Sequence, residues 1–113
     1  MKILQHRLGR PVRLTDERLR HALLHPEMAA MEGTEDRLER TLSDPEVVVR
    51  SRSDPEVELH HKRFGSTPFS SKHLCVVAKY PAGGPAAGAA AAFVITAYLT
   101  DTIKKGEVLW KAP

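Results

Sequence analysis

Near residue 46 the chain changes period, and that change constrains the fold more than any other feature. Upstream, apolar residues recur at helical spacing. Downstream they alternate, in four segments rich in β-branched and aromatic residues: VVVRS, VELHHKRF, HLCVVAKY and AAFVITAYL. Asp54-Pro55 separates the first two and is turn chemistry. GSTPFSS separates the second and third, and PAGGPAAGAA the third and fourth. The Ala/Gly/Pro stretch at 82–90 reads as a flexible surface loop.

Upstream, residues 15–43 read as helical. Thr15 precedes DERLRHALL as an N-cap with acids in the first turn. Pro26 interrupts the pattern, because the residue before proline is pushed out of the αR region. A second helix starts near Thr34, with Leu38 and Leu42 as its apolar stripe. The expectation is an α+β fold: two N-terminal helices packed on one face of a four-stranded antiparallel meander sheet.

The length of 113 residues fits a single domain with a real core, 1–113, its centre at about 12–111. The 42% apolar and 27% charged composition is globular, and a net charge of +3 is compatible with a nucleic-acid partner. One cysteine, Cys75, excludes an internal disulfide and a cysteine-based zinc cage, and its place in LCVV suggests a buried small hydrophobe. MKILQHRLGRPVRL lacks a signal-peptide core, and no segment approaches the roughly 18 apolar residues of a membrane span. The chain therefore reads as cytoplasmic, with no membrane partner.

Strand parity assigns faces. With Val47, Val49, Val57, Leu59, Phe93, Ile95, Ala97 and Leu99 toward the helices, the open face holds Arg50, Arg52, Glu58, His60, Lys62, Lys79, Thr96, Tyr98 and Thr100. The pentapeptide SDPEV occurs twice, at 43–47 and 53–57. Both copies read as bends, and the hairpin between them puts Arg50 and His60 on one face. Polar open faces are ordinary, but several cations around an imidazole also suit a phosphodiester.

Other groupings carry less. His21 and His25 stand at i, i+4 with Glu27 nearby, yet Pro26 ends that helix and no HExxH is present. His60 and His61 are adjacent on a strand, so they cannot chelate together. GGPAAG lacks the Lys-Ser/Thr of a phosphate-binding loop. Neither a metal nor a cofactor is expected. Trp110 reads as a cap on the domain, and Lys104 and Lys105 as phosphate contacts or solvated cations.

Taken in order, HPEM, DPEVVVRS, HHKRF, LCVVAKY and FVITAYLTDTIKKGEVLW resemble small proteins of the barnase–EndoU–colicin E5/D–RelE-like nuclease superfamily, in its phage-associated branches. The resemblance runs over about residues 12–111. It implies a two-layer α+β fold and a metal-independent endoribonuclease that cleaves RNA through its own 2′-hydroxyl. It also implies RNA as a partner and an antitoxin or immunity protein as another. Carried onto this sequence, it gives proton transfer to His25 or His60, phosphate charge to Arg50 and Lys62, and substrate positioning to Thr96 and Tyr98. The His60-His61 pair departs from the aromatic residues expected before the lysine. The alternatives are a non-catalytic RNA- or protein-binding module on the same fold, or a remnant of mobile DNA.

Overall fold

The structure, a computed structural model, describes residues 1–65, 72–81 and 92–113. The expected loop at 82–90 and most of GSTPFSS lie outside these residues. The described chain runs β1 (Lys2–Gln5), β2 (Pro11–Leu14), α1 (Asp16–Ala22), α2 (Pro26–Ala29), α3 (Thr34–Ser43), β3 (Val47–Arg50), β4 (Val57–Arg63), β5 (His73–Lys79), β6 (Ala92–Thr100) and β7 (Val108–Lys111). Among the described residues no helix is long and apolar enough to cross a membrane.

The strands form one mixed sheet in the order β1-β2-β6-β5-β4-β3-β7. This overturns the expected four-stranded antiparallel meander under two helices. β3 to β6 occupy the middle, but a hairpin of β1 and β2 extends one side and β7 extends the other. β2 joins β6 in parallel through Val12↔Ala92 and Arg13↔Phe93. The added strands have four residues each, too short for alternation to declare itself. A third, one-turn helix, α2, starts where the sequence suggested only a break. Pro26 ends α1's pattern and also opens α2, because proline at the first helical position gives up an N–H that has no intrahelical acceptor.

Local chemistry explains the other boundaries. Thr15 Oγ1 accepts the N–H of Arg18 at 3.2 Å and caps α1. Gly33, at φ 62°, turns the chain into α3 through the left-handed region. The first SDPEV copy leads from α3 into β3 and the second turns β3 into β4. Their aspartates each hold a lysine, Asp44 with Lys62 at 3.2 Å and Asp54 with Lys79 at 3.1 Å.

The core lies between the helices and one face of the sheet. Leu38 and Leu42 of α3 and Met28 of α2 are fully buried there with Leu4, Val12, Leu74, Val76 and Ala97. The sheet is strongly curled. β1 and β4 are four interstrand spacings apart, roughly 19 Å if flat. Yet the ring of His6, just past β1, lies 5.7 Å from that of His60 on β4.

Candidate acid–base site

Cross-strand partners share a face. Val48 pairs His60, Arg50 pairs Glu58, His60 pairs Val76 and Glu58 pairs Ala78. Val76 and Ala78 belong to the helix-side core. The helix side of β4 therefore carries Glu58, His60 and Lys62, and the expected assignment is inverted. Val57, Leu59 and His61 point to the other face. Parity was read as if every buried apolar residue marked the helix side. Both faces of β3 and β4 are in fact covered, since the connection from β6 to β7 crosses the second face and brings Lys104 to 5.9 Å from the Tyr98 ring.

β6 misleads for another reason. Val77 pairs Thr96 but Ala78 pairs Val94, so Ile95 is an extra residue in a bulge. Parity flips across it. Ala97 and Leu99 join the core as expected, whereas Ala92 and Val94, not Phe93 and Ile95, do so before the bulge.

On the helix side the chain assembles His6, Glu58, His60 and Tyr80. His6 sits in the β1–β2 turn, closed by His6 N–H to the Arg10 carbonyl at 2.9 Å and Gly9 N–H to the His6 carbonyl at 2.8 Å. Gly9, at φ 81°, adopts the left-handed conformation that the turn requires. Glu58 Oε1 lies 3.5 Å from His60 Nε2 and 3.8 Å from His6 Nε2. The Tyr80 hydroxyl lies 3.2 Å from His60 Nε2. His60 is fully buried and His6 and Tyr80 are each 7% exposed, so Glu58, at 23%, is the member that reaches solvent.

The hydrogen bonds fix the tautomers. Val76 offers only a carbonyl to His60 Nδ1, at 3.1 Å, so that nitrogen donates. Nε2 of the neutral ring then accepts from Tyr80. In His6, Nδ1 accepts the Leu8 N–H at 3.1 Å, so Nε2 carries the proton and aims it at Glu58. At 3.8 Å that contact is an N–H dipole facing a carboxylate rather than a formed hydrogen bond, and Nε2 is buried without a hydrogen-bond partner. Burial works to raise the Glu58 pKa, but the His6 and His60 imidazoles outweigh it and hold it down to about 2.

The two Nε2 atoms and a Glu58 oxygen lie within 4.8 Å of one another, within reach of metal coordination. His60 has a liganding histidine's geometry, with Nδ1–H on a carbonyl. His6 does not, because the nitrogen that would bind a metal holds the proton. The group is better matched to proton exchange than to an ion.

The six residues expected at the site do not converge. His60 alone is in the group. Arg50 shares its face but donates to Glu107 Oε1 at 2.9 Å and the Pro55 carbonyl at 2.8 Å. Lys62 donates to the Asp44 carbonyl at 2.8 Å. Thr96 and Tyr98 lie across the sheet. His25 precedes α2, where neighbouring Glu27 pairs Lys72 at 2.8 Å. Lys72 adjoins the start of β5 and Tyr80 its end, roughly 26 Å apart across the seven-residue strand. His25 and Tyr98 do line one cleft of about 450 Å³, with Lys72 and Leu99, at that far end.

On the second face His61 and Cys75 are fully buried, Nε2 to Sγ 3.9 Å. Burial pushes the Cys75 thiol up to about 12, so it is an inert hydrophobe as expected. The sequence reading missed His6, Tyr80 and the arginines beside them. Their signal was the turn HRLGR between two apolar pairs, in a segment read only for targeting.

No protein-family model, curated protein or solved structure matches this chain. The nuclease resemblance therefore stands on the residues quoted for it.

Proposed function

We propose that this protein is a metal-independent endoribonuclease whose proton-transfer group is Glu58. The observation that carries the reading is the placement of that carboxylate. It reaches solvent at the mouth of a buried His6–His60–Tyr80 cluster, beside a hairpin rich in arginine. The 2′-hydroxyl gives its proton to Glu58 and its oxygen attacks phosphorus. The P–O5′ bond breaks, a 2′,3′-cyclic phosphate forms, and the departing 5′-oxygen takes a proton from water. His60 and His6 act as positioning residues on the carboxylate. A carboxylate of such low pKa is a weak base, but the low value belongs to the state in which both imidazoles face it.

A second reading, a non-catalytic RNA-binding module, is favoured by the complete burial of His60. Incubation of RNA with protein in EDTA separates the two. Cyclic-phosphate ends that vanish in Glu58→Gln support the enzyme. Salt-sensitive binding without any cut sinks it and leaves the binding module. The partner that goes with this reading is an antitoxin or immunity protein, and relief of toxicity by a co-expressed partner is the matching test.

A further inference from the structure

The β1–β2 hairpin carries an arginine at every third position, and each guanidinium lies over an aromatic ring. Arg7 is 5.0 Å from the Trp110 ring centre, Arg10 5.0 Å from that of Tyr80, and Arg13 5.8 Å from that of Phe93. Among the described residues none of the three has a carboxylate partner, whereas Arg50, Lys62, Lys72 and Lys79 are each paired at 2.8 to 3.2 Å. Nε of Arg7 and of Arg13 is buried without a hydrogen-bond partner. Arg10 makes one long bond, 3.5 Å, to the Pro81 carbonyl. All three side chains are half-buried, so their stems are fixed while guanidinium donors remain uncommitted.

The rings come from separate elements. Trp110 is on β7, Tyr80 follows β5 and Phe93 is on β6. The first two rungs run on the helix side from one edge of the sheet to the tyrosine bonded to His60, whereas Arg13 and Phe93 pair in register with Lys79 and Val57 on the opposite face. Unpaired cations alternating with flat π surfaces fit a strand whose bases are unstacked. Phosphates take the guanidinium donors, and bases stack on Trp110 and the guanidinium planes. A duplex hides its base faces, and an acidic peptide would use the charges but not the planes.

We propose that Arg7 and Arg10, with Trp110 and Tyr80, form the track that holds single-stranded RNA across the Glu58 site. Its identification as a substrate track rests on the ribonuclease reading, so the test separates binding from cleavage. Full-length protein is titrated into a labelled 2′-O-methyl oligoribonucleotide of about a dozen nucleotides, which binds but cannot be cut. Two phosphate contacts on a single strand predict that log K falls with log salt at a slope of about −1.4. Arg7→Gln should reduce that slope by about 0.7, whereas Arg13→Gln, on the opposite face, should leave it unchanged. Arg10→Lys keeps the charge and loses the plane, so affinity should drop about tenfold at an unchanged slope.

Wild-type affinity and slope in Arg7→Gln and Arg10→Lys would overturn the track and assign these arginines to hairpin packing alone. Equal binding of a duplex, or preference for polyglutamate, would overturn it too. If Arg7→Gln melts below the assay temperature, lysine at the same position decides, because loss of stacking affinity is expected there as well. Binding with arginine dependence but no cutting of the 2′-hydroxyl oligonucleotide leaves the track and removes the nuclease. Cutting without arginine dependence does the reverse.

Discussion

His61 is a histidine kept neutral by its surroundings. Burial, helped by His73, His60 and Lys104, holds its pKa down to about 4, against an ordinary 6.5. The unfolded chain therefore takes up this proton first as acid is added. The stability held by the neutral ring is full above pH 6.5 and drains as pH falls to about 4, by at most about 1.4 kcal/mol per pH unit. Urea melts between pH 7 and 4 should show that slope, and His61→Gln should flatten it. Below pH 4.5 the depressed Glu58 adds a second loss, complete near pH 2, which Glu58→Gln should remove from the same melts. Gly106 is constrained by space. A Cβ there would meet the Arg50 carbonyl oxygen, and Val49 Cγ1 at 2.8 Å. Gly106→Ala should cost about 1–3 kcal/mol, read as a lower urea midpoint at unchanged m. At this scale the sequence was readable where chemistry is local. Thr15 as a cap and Cys75 as a buried hydrophobe needed only their neighbours. His6 with Glu58 did not, because that contact depends on the curl of a whole sheet.

The four central strands and the starts of α1 and α3 were legible because their periods persist over several residues. Faces were not, for two physical reasons. β3 and β4 are covered on both sides, so burial there carries no parity signal. β6 contains a bulge, so its parity is not constant. Ile95 is the extra residue, and its role can be isolated. Ile95→Ala trims a half-buried side chain and should cost less than about 1.5 kcal/mol. Deleting Ile95 removes the bulge and leaves strict alternation, with Val94 and Ala97 both on the core side and Thr96 between them on the other. The deletion should therefore keep a cooperative thermal transition, as the alanine variant does. β1, β2 and β7 stayed hidden because four residues give two alternations at most. A turn closed by Gly9 could have flagged the first hairpin, had MKILQHRLGRPVRL been read for strands as well as for targeting.

Over the whole molecule, the two edges of the sheet meet. β1 and β7 stand at opposite ends of the strand order, yet Arg7 in the first hairpin lies on Trp110 of the last strand. Trp110 is the chain's single tryptophan, 38% exposed, so its fluorescence reports this meeting directly. Arg7→Ala should change the Trp110 emission, while amide exchange in the β4–β5 ladder stays unchanged. Contacts between residues so distant along the chain form late, because loop closure must precede them. Weakening this seam should then accelerate unfolding far more than it slows folding. The seam is thus a zipper whose last tooth is also its first to open. A strand lying across it would clamp the zipper shut, so a bound oligonucleotide should lengthen the protein's unfolding lifetime as well as raise its melting point.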